Sequence, residues 1–177
     1  MTFSSVISTD LALALARALV GLVIAAHGAQ KTFGLWGGPG IGGWTAAMDR
    51  MAMRPRRLWA YLTAGIELLG GVALALGFLT PLVAGAITMQ MIAAMHRAHW
   101  AKGFWNTKGG IEFTLVLAGV VAFVGIADPG AWSLDRALGL PALGVGAYLI
   151  VLALAWLAYM FGARARTAST NITKQAA

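Results

Sequence analysis

The sequence predicts an all-α membrane protein, because it is too apolar for a water-soluble domain and its apolar residues form long segments. Apolar residues make up 59% of the 177 residues and charged residues 11%, against about 45–50% and about 25% in soluble domains. The mean hydropathy is +0.77. A soluble protein of this size could not bury so much apolar surface, so we expect lipid to cover it. The chain has no cysteine, which excludes disulfides, thiol redox chemistry, thiolate iron–sulfur clusters and haem attached through cysteine.

Five apolar segments are predicted to cross the bilayer, and together they form one transmembrane domain over residues 1–177. A spanning helix needs about 20 residues. The segments comprise residues 11–30, 58–78, 82–99, 111–127 and 143–161. Thr80-Pro81 predicts a tight turn, so the second and third helices should form an antiparallel hairpin. The first segment is interpreted as a retained helix rather than a cleaved signal peptide, because residues 1–10 contain no lysine or arginine.

The basic residues predict the orientation of these helices. If all five segments cross, the connections on one side of the membrane carry only Arg136. The other side carries Lys31, Arg50, Arg54, Arg56, Arg57, Arg97, Lys102, Lys108, Arg164, Arg166 and Lys174. Under the positive-inside rule this second side is cytoplasmic, which puts the N-terminus outside and the C-terminus inside. The formal net charge of +7 is therefore attributed to loops that face anionic lipid, and not to binding of nucleic acid.

A glycine-rich stretch, LWGGPGIGG at residues 35–43, follows the first helix. It lacks the Gly-Lys-Ser/Thr ending of a phosphate-binding loop and follows no strand, so we interpret it as a flexible connection. A short helix over residues 44–53 should then lie at the membrane interface. Its apolar face would comprise Trp44, Ala47, Met48 and Met51, with Asp49 and Arg50 turned to water.

Four ionisable residues lie inside or at the edge of the predicted helices, Arg17, His27, Glu67 and Glu112. Charged side chains are costly there and are often functional. Arg17 lies roughly 9 Å and Glu67 roughly 14 Å from the ends of their helices, at a rise of 1.5 Å per residue. Because arginine is long, the two side chains could meet as a structural ion pair between adjacent helices. The alternative is that Glu67 is a buried carboxylate that accepts protons or contacts a ligand.

A second group of polar residues is expected near the cytoplasmic face. His27 and Lys31 share a face of the first helix, His96 and His99 end the third, and Glu112 begins the fourth. Helical rise puts them at a similar depth, whereas their lateral distances depend on helix packing. Three chemistries could use them: zinc held by His96, His99 and either Glu112 or His27, haem b between His27 and another histidine, or a quinone or proton-relay site. The last fits better than zinc or haem b, and the alternative is that these are interfacial side chains whose polar ends reach water.

Four stretches follow one another in the order and spacing of a known family. They are ARALVGLVIAAHGAQKTFG, IELLGGVALALGFLTPL, MHRAHWAKGFWNTKGGIEF and DPGAWSLDRALG. Over about residues 11–139 the chain resembles the DoxX family of small bacterial membrane proteins. The resemblance implies a four-helix transmembrane bundle, to which residues 143–161 add a fifth helix. It also implies a redox role, since a related protein is the small subunit of a thiosulfate:quinone oxidoreductase and another member serves thiol and oxidative-stress defence in a membrane complex.

The family pattern also implies a set of site residues. By position, its patterned places are occupied here by Arg17, Lys31, Glu67, His99, Gly103, Phe104 and Glu112. Together with the polar residues above, this gives a candidate proton relay of Glu67, His99 and Glu112. The candidate ligand-binding residues are His27, Lys31, His96, Gly103 and Phe104.

The resulting interpretation is a subunit of a redox system in the bacterial cytoplasmic (inner) membrane, holding a quinone or another lipid-soluble molecule and relaying its protons. The chain has no cofactor motif, so its electrons would come from a peripheral or membrane partner protein, and the chain could itself form homo-oligomers. Two alternatives stay open. One is a non-enzymatic scaffold that stabilises a membrane complex, and the other is a small-solute transporter.

Overall fold

The computed structural model describes residues 3–175 and the side chains of residues 9–163. Within residues 3–175 the chain forms helices, turns and loops without a β-strand, which confirms the prediction of an all-α membrane protein. Three helices are long and apolar enough to cross a bilayer, Thr9–Phe33, Arg56–Leu76 and Gly144–Ala163. Two further long helices have 15 residues each, so the count of five spans stays a prediction.

The helices follow the predicted apolar segments along the chain. They are α1 (Phe3–Phe33), α2 (Gly40–Arg50), α3 (Arg56–Leu76), α4 (Thr80–Ala94), α5 (Glu112–Ile126), α6 (Leu134–Ala137) and α7 (Gly144–Gln175). A π turn, Ile66–Gly70, lies within α3, and a second one, Met95–His99, continues α4. Short 3₁₀ turns occur at Leu35–Gly37, Trp100–Lys102 and Asn106–Lys108.

The short helix after α1 begins earlier than predicted. The expected start was residue 44, but α2 starts at Gly40 and ends at Arg50. Ile41 packs against the buried cluster that contains Met48 and Met53, and this contact stabilises a first turn that its glycines alone would leave weak. The stretch read as flexible is therefore partly helical.

Helix α4 is the centre of the bundle. It packs against α5, α7 and the π turn of α3, and Ala84 and Ile87 are fully buried. Small residues allow the close packing: a Cβ added to Gly85 would lie 2.7 Å from the carbonyl oxygen of Tyr148, and one added to Gly125 would lie 2.6 Å from the Cβ of Ala84. Helices α5 and α7 therefore approach α4 more closely than larger side chains would permit.

Helices α1 and α3 touch backbone to backbone at glycines. A Cβ on Gly28 would lie 2.2 Å from the backbone nitrogen of Leu68, and one on Gly21 would lie 2.6 Å from that of Ala75. Side chains larger than hydrogen do not fit at such distances, and small residues are what allow membrane helices to pack this tightly. The two contacts fix the register, so that Gly28 lies beside the π turn and Gly21 lies near the end of α3.

Arg17 is bound at the far end of α3, and the predicted ion pair between Arg17 and Glu67 is wrong. The guanidinium of Arg17, a residue that is 2% exposed, donates hydrogen bonds to the carbonyl oxygens of Ala75, Pro129 and Trp132. Glu67 lies instead beside Gly28 of α1. Residues 17 and 28 are about 16 Å apart along a helix at 1.5 Å per residue, too far for the two side chains to meet.

The connection after α5 closes the same end of the bundle, which we call the Arg17 end. Asp135 of α6 is buried, and its carboxylate accepts hydrogen bonds from the backbone N–H groups of Leu79 at 2.7 Å and Thr80 at 3.1 Å. These are orphan donors at the start of α4, which a carboxylate stabilises. The backbone N–H of Asp135 donates in turn to the carbonyl of Gly77, so the connection is tied to the turn between α3 and α4.

Most basic side chains lie at the opposite end of the bundle, where α1 and α4 end and α3 and α5 begin. We call this the basic end. The described residues there are Lys31, Arg50, Arg54, Arg56, Arg57, Arg97, Lys102 and Lys108. Gly28 of α1 contacts Leu68 of α3, and Gly125 of α5 contacts Ala84 of α4. Each of these two helix pairs is therefore antiparallel, as the charge pattern requires. That the basic end faces the cytoplasm stays a prediction.

Candidate functional site

Glu67 is a carboxylate buried between three helices, with 2% of its surface exposed. Lys31 of α1 places Nζ 2.5 Å from Oε1 of Glu67. Gln90 of α4 donates a hydrogen bond from Nε2 to the same oxygen at 2.7 Å. We call Lys31, Glu67 and Gln90 the Glu67 site. An ion pair and an amide thus join α1, α3 and α4 at one buried point.

The π turn Ile66–Gly70 carries Glu67 into this position. Such turns inside α-helices recur at functional sites. The turn is held from both sides, because Gly28 of α1 contacts its backbone and Gly70 faces the side chains of Val83 and Ile87 of α4 at 3.5 Å from an added Cβ. Glycines on α1 and α3 therefore let the backbones of these two helices meet at Glu67, while side chains of α4 pack against the π turn.

Two buried oxygens at the Glu67 site have no hydrogen-bond partner among the described residues, Oε2 of Glu67 and Oε1 of Gln90. The orientation of the Gln90 amide follows from its donor group, since Nε2 donates both to Glu67 and to the carbonyl of Thr63 at 3.0 Å. Turning the amide over would lose both bonds. A buried acceptor left unpaired costs about 1–3 kcal/mol, so this pair is a place where a further donor group would bind favourably.

Helix α2 covers the Lys31 side of the site. The Nζ of Lys31 lies 4.2 Å from the ring centroid of Trp44, a favourable cation–π distance. The indole N–H of Trp44 donates to Oγ1 of Thr63 at 2.9 Å, which holds α2 against α3. The side chain of Lys31 is still 19% exposed, so the approach to Glu67 from the basic end passes Lys31 and Trp44.

Asp49 fastens the end of α2 to the segment before α3, where it forms ion pairs with Arg54 and Arg56. The hydrogen bond from Arg54 lowers the pKa of Asp49 below its ordinary value, and the positive charges of Arg54 and Arg56 act in the same direction. These side chains are solvent-accessible, so the pairs contribute little stability. They orient the corner that brings Trp44 over Lys31.

An apolar groove of about 460 Å³ runs along α3 and α4 beside the π turn. On α3 it is lined between Tyr61 and Gly70, and on α4 it is lined by Leu82, Val83 and Ala86. Ile66, next to Glu67 in the chain, is one of the lining residues. The same π turn thus presents a carboxylate to the interior and apolar side chains to the groove.

The three histidines considered as one polar group contact different neighbours in the structure. The ring centroid of His27 lies 5.7 Å from that of Phe113, with the two rings tilted by 56°. His96 Nδ1 lies 2.5 Å from the hydroxyl oxygen of Tyr159 in α7, and Arg97 donates a hydrogen bond to the same oxygen at 2.9 Å. His96 therefore bonds α4 to α7, and it makes no described bond to His27 or His99.

The remaining predicted residues lie between α4 and α5, with His99 in the π turn that continues α4 and Glu112 as the first residue of α5. His99 Nδ1 is 2.7 Å from the carbonyl oxygen of Gly109, and Glu112 accepts a hydrogen bond from the backbone N–H of Asn106 at 2.9 Å. Phe104 is exposed and contacts Trp105 edge to face, while Gly103 has a φ of 81° that favours glycine. These contacts shape the loop, and none of them joins the Glu67 site.

The donor set for a metal is also dispersed. Among the residues that the structure describes, no three histidine, aspartate or glutamate side chains come together in a group that could hold a metal ion. In the described part of the chain, His96, His99 and either Glu112 or His27 therefore do not form the group of ligands that the considered zinc site needs.

Sequence reasoning missed the residues that complete these contacts, Gln90, Trp44 and Tyr159. Gln90 carried a usable signal, because it is a lone amide inside the apolar run of α4, where a polar side chain needs a partner. Tyr159 and Trp44 carried none, since aromatic residues near helix ends are ordinary in membrane proteins.

Comparison with known proteins agrees with the fold. The DoxX family model matches residues 12–100. Over 142 residues the chain is 30% identical to the uncharacterized membrane protein Rv3486 of Mycobacterium tuberculosis, which covers 74% of this chain and 83% of the relative. No solved structure matches the chain. The family match includes Lys31, Glu67 and Gln90, and it ends before Gly103, Phe104 and Glu112.

Proposed function

The chain belongs to the DoxX family of membrane proteins, and from this premise we propose that it is a membrane subunit of a redox system that binds a quinone or another lipid-soluble molecule at the Glu67 site. The observation that carries the proposal is the buried carboxylate of Glu67, which has one oxygen paired with Lys31 and Gln90 and the other unpaired. Buried ionisable groups with incomplete partners are typical of functional sites in membrane proteins.

The surroundings of Glu67 support a ligand that is polar at one end and apolar along its length. The polar end would meet Glu67, Gln90 and Lys31. The apolar part would lie in the groove between α3 and α4, which is almost entirely apolar and passes the same π turn. A binding site that combines a few placed polar groups with an apolar surface is the usual arrangement for small molecules.

Proton exchange in this proposal is confined to the Glu67 site. Glu67 would accept or release the protons of the bound molecule, with Lys31 as the route to the basic end, which we propose faces the cytoplasm. His99 and Glu112 bond to backbone groups of their own loop and have no step in the proposal. Electrons would come from a partner protein of the redox system.

The experiment that tests the proposal is identification of what the protein carries. The full chain, purified with its native lipids, is extracted with organic solvent, and the extracted molecules are identified by mass spectrometry. We expect a quinone or a similar lipid-soluble molecule at near-stoichiometric amount, and its loss in Glu67→Gln with an unchanged size-exclusion profile. The matched control is Asp128→Asn, a carboxylate-to-amide change at an exposed position of the Arg17 end. An extract that matches the bulk membrane in all three proteins would contradict the proposal.

A scaffold without a ligand is the second candidate, and one observation favours it. Several polar side chains serve helix packing: Arg17 holds the connection after α5, and His96 holds α7. For a scaffold, partner proteins that co-purify with the chain would be lost together with such contacts. If Glu67→Gln reduces the amount of assembled complex but leaves the quinone-dependent turnover of each assembled complex unchanged, the scaffold is the correct assignment.

A further inference from the structure

The two unpaired oxygens of the Glu67 site determine what kind of group can bind there. Oε2 of Glu67 and Oε1 of Gln90 belong to groups that are already joined, through the 2.7 Å bond from Gln90 Nε2 to Glu67 Oε1. The two free acceptors are therefore close neighbours. An ionised carboxylate has no proton to donate, and an amide oxygen never donates, so these two oxygens offer only acceptors to a ligand.

The charge of the site decides between a cation and a neutral group. Lys31 and Glu67 form an ion pair whose charges cancel, and Glu67 is 2% exposed. An added cation would bring an uncompensated charge into buried surroundings next to the ammonium of Lys31, which is costly. A neutral donor supplies one hydrogen bond for each O–H or N–H group it carries and adds no charge to the site.

The hydroxyl group is the neutral donor that fits these requirements. We propose that the Glu67 site binds an O–H donor, and that it therefore selects the reduced, hydroxyl-bearing form of a quinone over the oxidised form. The oxidised form carries only carbonyl oxygens, which face Glu67 Oε2 and Gln90 Oε1 as acceptor against acceptor. This inference rests on the proposed function and specifies the redox form of its ligand. Water is also an O–H donor and can pair with the same oxygens when no ligand is bound.

The test compares the two redox forms on the same purified full-length protein. A short-chain benzoquinone and its chemically reduced hydroquinone are titrated under anaerobic conditions by isothermal calorimetry. We expect the hydroquinone to bind at least about tenfold more tightly, because each hydrogen bond to a charged acceptor is gained in one form and replaced by an acceptor contact in the other.

Two variants connect this preference to the two oxygens. Glu67→Gln replaces an acceptor with an amide that can also donate, and Gln90→Met removes the second acceptor while Lys31 and Glu67 stay paired. In Gln90→Met the preference for the hydroquinone should fall towards equal binding of the two forms. In Glu67→Gln both forms should lose their binding, and Asp128→Asn should keep the full preference. Gln90→Met carries the test if Glu67→Gln does not fold.

The outcomes separate this inference from the proposed function. Equal binding of both forms, tighter binding of the quinone, or a preference that survives in Gln90→Met would overturn the inference and leave the quinone site standing. If neither form binds, the acceptors hold water and the proposed function itself fails. Stabilisation of the protein by Na⁺ that depends on Glu67 would show a cation in place of the hydroxyl group and would overturn the inference.

Discussion

Lys31 and Glu67 form an ion pair with a distance of 2.5 Å between Nζ and Oε1, and this pair joins α1 to the π turn of α3. It lies at the level of Gly28, where the two helix backbones are in contact. Both features depend on the same register of α1 against α3. The packing of the bundle and the arrangement of the candidate site are therefore two consequences of one helix–helix contact.

Removing Lys31 should strongly destabilise the fold. In Lys31→Met the carboxylate of Glu67 is left buried and without its counter-charge, which costs about 3–5 kcal/mol when one partner of a buried pair is removed. The measurement is reversible unfolding of the protein in mixed detergent micelles. Lys108→Met, at an exposed position of the basic end, serves as the control and should stay within about 0.5 kcal/mol of the original protein.

The double variant Lys31→Met with Glu67→Leu sharpens this test. Replacing both partners by apolar groups removes the uncompensated charge, so much of the lost stability should return. If Lys31→Met alone is as stable as the original protein, the two charges do not form a buried pair.

Gly28 should not tolerate a methyl group. In Gly28→Ala the added Cβ would lie 2.2 Å from the backbone nitrogen of Leu68, and since backbone cannot move aside locally, α1 and α3 must separate. We expect a large loss of folded protein and displacement of Lys31 from Glu67. Gly119→Ala is the matched control, because an added Cβ there has no atom within 4 Å and alanine favours the helix by about 1 kcal/mol. Equal folded yields of the two variants would contradict the close contact.

The stability of the start of α4 should depend on how many acceptor oxygens the side chain at position 135 offers. Asp135→Ala leaves the N–H groups of Leu79 and Thr80 without the partners they have now, and the loss of a helix cap costs about 0.5–2 kcal/mol. Asp135→Asn keeps one acceptor oxygen and should lie between the two. Unfolding in micelles orders the three proteins, and the account is wrong if alanine and asparagine are equivalent to aspartate.

The basic end should face the cytoplasm. The chain has no cysteine, so single cysteines can report on each side. A membrane-impermeant maleimide added to intact spheroplasts should label Ala131→Cys at the Arg17 end, and it should label Ala101→Cys only after the membrane is opened. Labelling in the reverse order would invert the topology, and labelling of both from outside would remove the five-span count.

The sequence was sufficient for the helices because lipid burial depends on composition over about 20 residues. It was insufficient for the partner of Glu67. The depth of each residue along its helix allowed Arg17 as the partner of Glu67 only because arginine has a long side chain. The register of α1 against α3 is determined by backbone contacts at Gly21 and Gly28. Sequence spacing does not report which glycine faces which helix.

The histidine cluster shows the same limit in the lateral direction. His96 and His99 lie in the π turn that continues α4, and helical rise predicts a depth similar to that of Glu112. Their side chains nonetheless point to different neighbours, Tyr159 of α7 and the carbonyl of Gly109. Depth is a one-dimensional quantity that a sequence contains, while the direction around the helix axis also depends on helices that are distant in the chain.

The most direct test of the central claim is to find where a quinone binds. The protein in its native membrane is illuminated with a photoreactive azido-quinone, and the labelled peptides are mapped by mass spectrometry. The account predicts adducts around Lys31 and Trp44 and in the groove between Tyr61 and Gly70, displaced by excess unlabelled ligand and lost in Glu67→Gln but not in Asp128→Asn. Adducts spread over lipid-exposed side chains such as Phe123 and Phe161, with no displacement by competitor, would contradict it.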